Sequence, residues 1–118
     1  MNQIHKISVA KDFSTEPIGR FVEDGPKSGE VFRRDILLPA MAKHDRIEVN
    51  LDGTEGYGSS FLEEAFGGIL RVTDLLIADV KRRLSFISTE EPLLLEEISG
   101  YLDRAGDAKK YLLPRNRG

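Results

Sequence analysis

The sequence contains no cysteine and no tryptophan. Without thiols there is no disulfide framework, no cysteine nucleophile and no zinc site built on thiolates. Their absence also fits a reducing compartment. Histidine is nearly as scarce: His5 and His44 lie far apart, without metal-motif spacing, and each reads as a surface residue. Long apolar runs are missing as well. None approaches the roughly 20 residues of a membrane-spanning helix, and Met1 to Val9 is polar and alternating, without the apolar centre of a secretion signal. The expected location is the cytoplasm, with no membrane partner. Nor is there a basic stripe: 17 Lys and Arg stand against 20 Asp and Glu, a net charge of −3, which argues against a nucleic-acid partner.

What is present suffices for one core. The 118 residues are 40% hydrophobic and include six Phe and three Tyr, as expected of one domain rather than a disordered chain. The expected domain spans residues 1–118, with its core at about 4–105 and a frayed tail from Gly106 onward.

Apolar periodicity then divides the chain. Ile4 to Val9, Arg46 to Leu51 and Leu84 to Ser88 read as strands, the first two by strict alternation. A further short strand is expected near Arg20-Phe21-Val22, inside a long segment from Asp12 to Gly29 that is otherwise turn and loop. Ser28 can cap a helix starting near Glu30, with Phe32, Ile36 and Ala40 along one face and Pro39 set to kink or end it. A second helix is expected from about Ser60, with Phe61, Ala65 and Ile69 beside Leu62, Phe66 and Leu70. Gly67-Gly68 weaken its interior by about 1 kcal/mol each relative to Ala, a cost usually met by close packing. Thr73 or Asp74 starts a short helix reaching Arg83, whose Lys81-Arg82-Arg83 reads as a solvated end favourable to the helix dipole. The last helix starts near Thr89 to Pro92, with Leu94, Ile98, Leu102 and Ala105 inward. Strands alternating with helices imply an α/β fold with about four strands in a mixed sheet flanked by helices.

The densest information lies between Ile47 and Ile69: strand, Gly-rich turn, Ser59-Ser60, helix. Asp52-Gly53 through Ser59-Ser60-Phe61 resembles the central segment of STAS domains, which include bacterial anti-sigma-factor antagonists and the cytoplasmic domains of sulphate transporters. In the antagonists a loop ending Asp-Ser-Ser-Gly meets a helix, and the first Ser is phosphorylated by a histidine-kinase-like ATPase. By register Ser59 matches that residue and Ser60 the second, while Gly58 stands in place of the Asp and Phe61 in place of the Gly. A closer resemblance is to the STAS-like family of unknown function. It is carried by Asp12-Phe13-Ser14, Pro17-Ile18-Gly19-Arg20, Asp24-Gly25-Pro26-Lys27-Ser28-Gly29-Glu30, the run Gly56 to Gly68, and Arg83 to Ser88, over roughly residues 4 to 105. The resemblance implies the STAS-like fold, a protein partner of the histidine-kinase-like ATPase kind, and Ser59 and Ser60 as candidate phosphorylation sites.

The residues by themselves allow plainer roles. Ser59 or Ser60 can simply cap the helix. The loop is not a P-loop, because no Lys follows its last Gly, although a strand-to-helix turn suits an anion. Asp52 reads as turn chemistry and Glu55 as a solvated charge, against the sharper option of a metal or acid–base pair. Arg20, Asp24, Ser28 and Arg33 lie in or beside the other Gly/Pro-rich loop, where Arg20 either meets an anion or ties the loop down. The expected function is a non-catalytic interaction module in bacterial signalling. Its partner or ligand loop comprises Asp52, Glu55, Gly56, Tyr57, Gly58, Phe61 and Leu62, with the last two offering exposed apolar contact. Arg20, Asp24 and Ser28 form a second loop. No catalytic residue, metal or cofactor is expected. A small-ligand or nucleotide site (or an enzyme) using the two Gly-rich loops, and a self-assembling subunit with a homodimer as its product, are the alternatives.

Overall fold

In the computed structural model, which describes residues 3–112, the chain alternates strand and helix as its periodicity implies. Three strands form one sheet: β1 (Ile4–Ser8), β2 (Arg46–Asn50) and β3 (Leu84–Ile87), in the order β1-β2-β3. Both pairings are parallel. Ile7 lies opposite Val49 and Val49 opposite Phe86, so the apolar alternation of each strand falls in register on one face. The sheet is therefore parallel throughout, not mixed, and the fourth strand at residues 20–22 does not form. The Asp24 carboxylate accepts hydrogen bonds from the N–H groups of Arg20 (3.1 Å) and Phe21 (2.8 Å), and the Glu30 carboxylate accepts one from that of Val22 (2.9 Å). Donors that a strand would spend on a neighbour are taken by side chains, and the segment closes into a tight turn at Val22–Asp24.

Five helices complete the described chain: α1 (Val9–Asp12), α2 (29–43), α3 (59–72), α4 (Ile77–Arg83) and α5 (Leu93–Leu112). None of them is long and apolar enough to cross a membrane. Ile7, Ile47, Val49 and Leu84 are buried on one face of the sheet, together with Phe32, Leu37, Phe61, Phe66, Ile69, Ile98 and Leu102 from the helices, in one apolar cluster. The opposite face carries Lys6, Arg46 and Ser85, all exposed, with Glu48 and Asn50 half-buried. Parallel sheets usually have both faces covered. Among the described residues this one has helices on a single side, which is why its strands alternate rather than read as continuous apolar runs.

Two helices contain a widened, π-type turn: Arg33–Leu37 in α2 and Glu63–Gly67 in α3. The first precedes Leu38-Pro39. Pro39 removes one donor and crowds the preceding turn, and the helix accommodates it by widening there and continuing to Lys43, rather than ending early. α5 runs unbroken through Gly106 to Leu112, so the tail expected to fray from Gly106 is helical to that point; residues 113–118 lie outside the described part. The Lys81-Arg82-Arg83 run is bonded rather than merely solvated. Lys81 pairs with Asp103 (2.7 Å) and Arg82 with Asp45 (3.4 Å), while Arg83 donates to the carbonyls of Met41 (2.5 Å), His44 (2.9 Å) and Asp45 (2.9 Å) at the end of α2. Lys109 does the same for α3, donating to the carbonyls of Leu70, Thr73 and Leu75 at 2.6–2.8 Å. His5 and His44 stack with centroids 4.1 Å apart, which leaves His5 half-buried and His44 exposed.

Candidate functional site

The strand ends set the site. Chain leaving the C-terminal ends of β1 and β2 forms the two Gly-rich loops, and the fold brings these loops together, with the Glu55 N–H donating to the Thr15 carbonyl at 2.8 Å. A cleft of about 580 Å³ opens between them, walled by Pro17, Ile18, Pro26 and Lys27 on one side and by Glu55, Gly56 and Gly58 on the other. Gly25 and Gly56 hold φ of +140° and +128°, the region that favours glycine, and a Cβ at either would meet open space. Here the backbone conformation, not crowding, requires glycine.

The β2–α3 loop is held from inside. The Tyr57 hydroxyl donates to the Leu51 carbonyl at 2.8 Å, its ring lies 5.8 Å from that of Phe61, and burial pushes its pKa up to about 12. Asp52 accepts from the Thr89 hydroxyl (2.5 Å) and from the N–H groups of Thr89 (3.2 Å) and Glu90 (2.9 Å), and these bonds hold its carboxyl below the usual range. Asp52 is therefore a brace between the loop and the turn leading into α5, and the expected turn chemistry extends across the fold.

At the loop's end the helix starts one residue early. Gly58 is the N-cap of α3 and no side chain caps it. Ser59 and Ser60 stand in the first turn, both exposed, so neither is the cap that the sequence suggested. Phe61 and Leu62, expected at the surface, are 1% and 0% exposed. Their period places them on the inward stripe of α3, against Phe32 (Phe61 ring at 6.1 Å). Exposed apolar surface comes instead from the first loop, where Ile18 is 71%, Phe21 46% and Val22 43% exposed. Gly19, Gly25 and Pro26 mark this segment as turn and loop in the sequence, and a turn cannot bury its apolar residues; the short strand expected at Arg20-Phe21-Val22 is what hides Phe21 and Val22 from that reading.

Behind this loop lies a charge network. Arg20 donates to Glu63 at 2.6 Å and to Glu64 at 3.3 Å; Arg71 donates to Glu63 (2.7 and 2.9 Å) and Glu64 (3.2 Å). Arg33, buried, reaches the Glu64 carboxylate at 2.8 Å and its carbonyl at 2.5 Å. Arg20 is thus the tie, not the anion receptor, and it pairs with Glu side chains of α3 while its backbone is held by Asp24. Ser28 is buried and caps α2, accepting from the Val31 N–H at 3.2 Å, so of the second-loop residues only Asp24 lines the cleft. Gly67-Gly68 now have their reason: a Cβ at Gly68 would occupy the Arg33 guanidinium, and one at Gly67 would crowd the Glu63 carboxylate.

The Arg71 guanidinium, with Arg20 beside it, holds Glu63 below its ordinary value against the opposing effect of burial. The group's contribution to stability is full above its unfolded pKa of 4.5 and is lost as pH falls through the lower folded value. Glu63→Gln is expected to flatten the acid limb of a stability-versus-pH curve below that point, as read by urea melts from pH 7 to 3; an unchanged acid limb would mean that the pair contributes nothing.

Residues 28–94, from the cap of α2 to the first turn of α5, match the family described as a STAS-like domain of unknown function (DUF4325). The chain belongs to that STAS-like family. No curated protein and no solved structure matches it. The match takes in the β2–α3 loop, Ser59 and both widened turns. The first cleft wall, residues 16–27, with Ile18, Phe21 and Val22, precedes the matched residues.

Proposed function

We propose that this STAS-like chain is a non-catalytic protein-docking module in bacterial signalling, with a histidine-kinase-like ATPase as its candidate partner and Ser59 as its switch. One observation carries the reading: the two loops converge beside an exposed Ser59 whose hydroxyl is not spent on capping, and exposed Ile18, Phe21 and Val22 lie in one of those loops. A phosphate on Ser59 adds nearly two negative charges. The helix dipole tolerates them, so the fold survives and the change acts at the surface. Glu63, one turn further along α3, is already neutralised by Arg71 and Arg20. The new charge therefore acts at the surface between the β2–α3 loop and Tyr101 of α5, beside which Ser59 stands.

The experiment is a tagged pull-down from the native host with intact-mass measurement of the recovered chain. A partner retained by Ser59→Ala and lost by Ser59→Asp, with unchanged melting temperature in both, supports the switch. A partner indifferent to both changes, or no partner and an unmodified mass, overturns it. A second reading rests on the cleft volume, which lies in the range of small-ligand sites, about 300–1,000 Å³. Under it, a nucleotide or metabolite raises the melting temperature and Lys27→Ala, in the cleft wall, abolishes the rise.

A further inference from the structure

The two edges of the sheet are built differently. β1 carries Lys6, and the groove beside it is lined by Asp12, Asp35 and Lys43. β3, the other edge, is Leu84-Ser85-Phe86-Ile87, with no charged residue and no proline. Charge and proline are the usual protection of an edge strand, and β3 has neither. Beside it lies a groove of about 240 Å³ between strand and α5, lined by Leu84, Phe86, Leu95 and Leu102, with Lys81 and Ser99 at its sides. Leu95 is 40% exposed there.

We infer that β3 pairs antiparallel with β3 of a second copy, joining two three-stranded sheets into one of six strands across a two-fold axis. The charge pattern along the chain selects this occupant and this direction. Lys81, Arg82 and Arg83 precede the strand, and Glu90 and Glu91 follow it. Lys81, Arg82, Glu90 and Glu91 are all exposed, Lys81 and Arg82 each also meeting one carboxylate of their own chain, Asp103 and Asp45. About an axis that sets Phe86 opposite Phe86 of the second copy, Ser85 faces Ile87, and each opposed pair lies on the same face of the joined sheet. The basic end of each strand then lies beside the acidic end of the other, and the two-fold repeats the match. Parallel pairing would set basic against basic and acidic against acidic. Backbone hydrogen bonds supply the ladder, and the apolar groove beside each strand is covered. A four-residue ladder is short, so the association belongs with the small, weak interfaces. The inference does not depend on the loop cleft or on Ser59.

The test is sedimentation velocity of the full chain from about 1 to about 500 µM, the range in which a weak interface assembles. The wild type is expected to pass from monomer to dimer. Ser85→Lys, at an exposed position on the strand, should weaken the dimer at least about tenfold. Arg82→Glu and Glu91→Lys should each weaken it, more so at low salt, and the double variant, in which positions 82 and 91 again carry opposite charges, should regain part of the loss. All three positions are at the surface, and thermal melts check that the variants fold. A monomer throughout the range overturns the inference. So does a dimer indifferent to these changes, which would place the contact on the β1 edge or on the uncovered face of the sheet.

Discussion

Replacing Glu64 with Gln is expected to cost about 3–5 kcal/mol of folding stability, the range for breaking a buried ion pair by removing one partner. Arg33 is 5% exposed, and Glu64 supplies its paired carboxylate. A guanidinium keeps its charge under all relevant conditions, so the variant must bury an uncompensated cation or pull Arg33 out of the core. Neither Arg20 nor Arg71 relieves it, since both are cations and both retain Glu63. The asymmetry gives a control. Arg33→Met combined with Glu64→Leu removes both charges and fills the space with apolar atoms, and should regain most of the loss. Urea titration with an unchanged m-value reads both outcomes. If Glu64→Gln lies within about 1 kcal/mol of wild type, the pair is no more than a surface bridge and the widened turns that place it need another reason.

The sheet and the inward helix faces were legible because burial imposes a period. Ile47 and Val49 alternate with polar residues, and Leu94, Ile98, Leu102 and Ala105 recur at helical spacing; all are buried. The family was legible too, from the run of residues around Ser59. What was not legible depends on contacts between distant segments. Arg20 pairs with residues 43 and 44 positions away, and Arg33 with one 31 away; no local pattern distinguishes such a tie from a free arginine. The absent fourth strand has a local cause instead. Arg20-Phe21-Val22 has strand-like residues, but Asp24 and Glu30 capture its N–H groups first. Phe61 and Leu62 differ again: the loop motif ends on them and implies a surface, while the helical period of Phe61, Ala65 and Ile69 assigns that stripe inward, where Phe61 and Leu62 are buried. Where motif and period disagreed, period was the better guide, because it reports burial directly.

Gly29→Ala should be among the most damaging single-methyl additions in the chain, costing about 3 kcal/mol, at the upper end for overpacking a well-filled core. Nothing in its sequence context marks it. Gly29 follows the Ser28 cap as the first residue of α2, where glycine is not otherwise required, and its φ is not in the left-handed region. The reason is proximity. A Cβ there would run into the Phe61 carbonyl oxygen, with the Ala65 nitrogen at 3.1 Å and the Glu64 Cβ at 3.2 Å. Two of these three atoms are backbone, so no rotamer change clears the space and α2 must move off α3. That movement would also lengthen the Arg33–Glu64 pair, because the two residues sit in the facing widened turns of the same two helices. The costs of Gly29→Ala and Glu64→Gln are therefore coupled: the double variant should lose at least about 0.5 kcal/mol less than the sum of the singles, the scale at which neighbouring sites depart from additivity. Gly58→Ala is the comparison. Its Cβ meets nothing within 4 Å, so it should fold at near wild-type stability. A Gly29→Ala protein as stable as Gly58→Ala would show that α2 and α3 can separate freely, and that the close approach of their backbones is not what fixes the charge network beneath the loop.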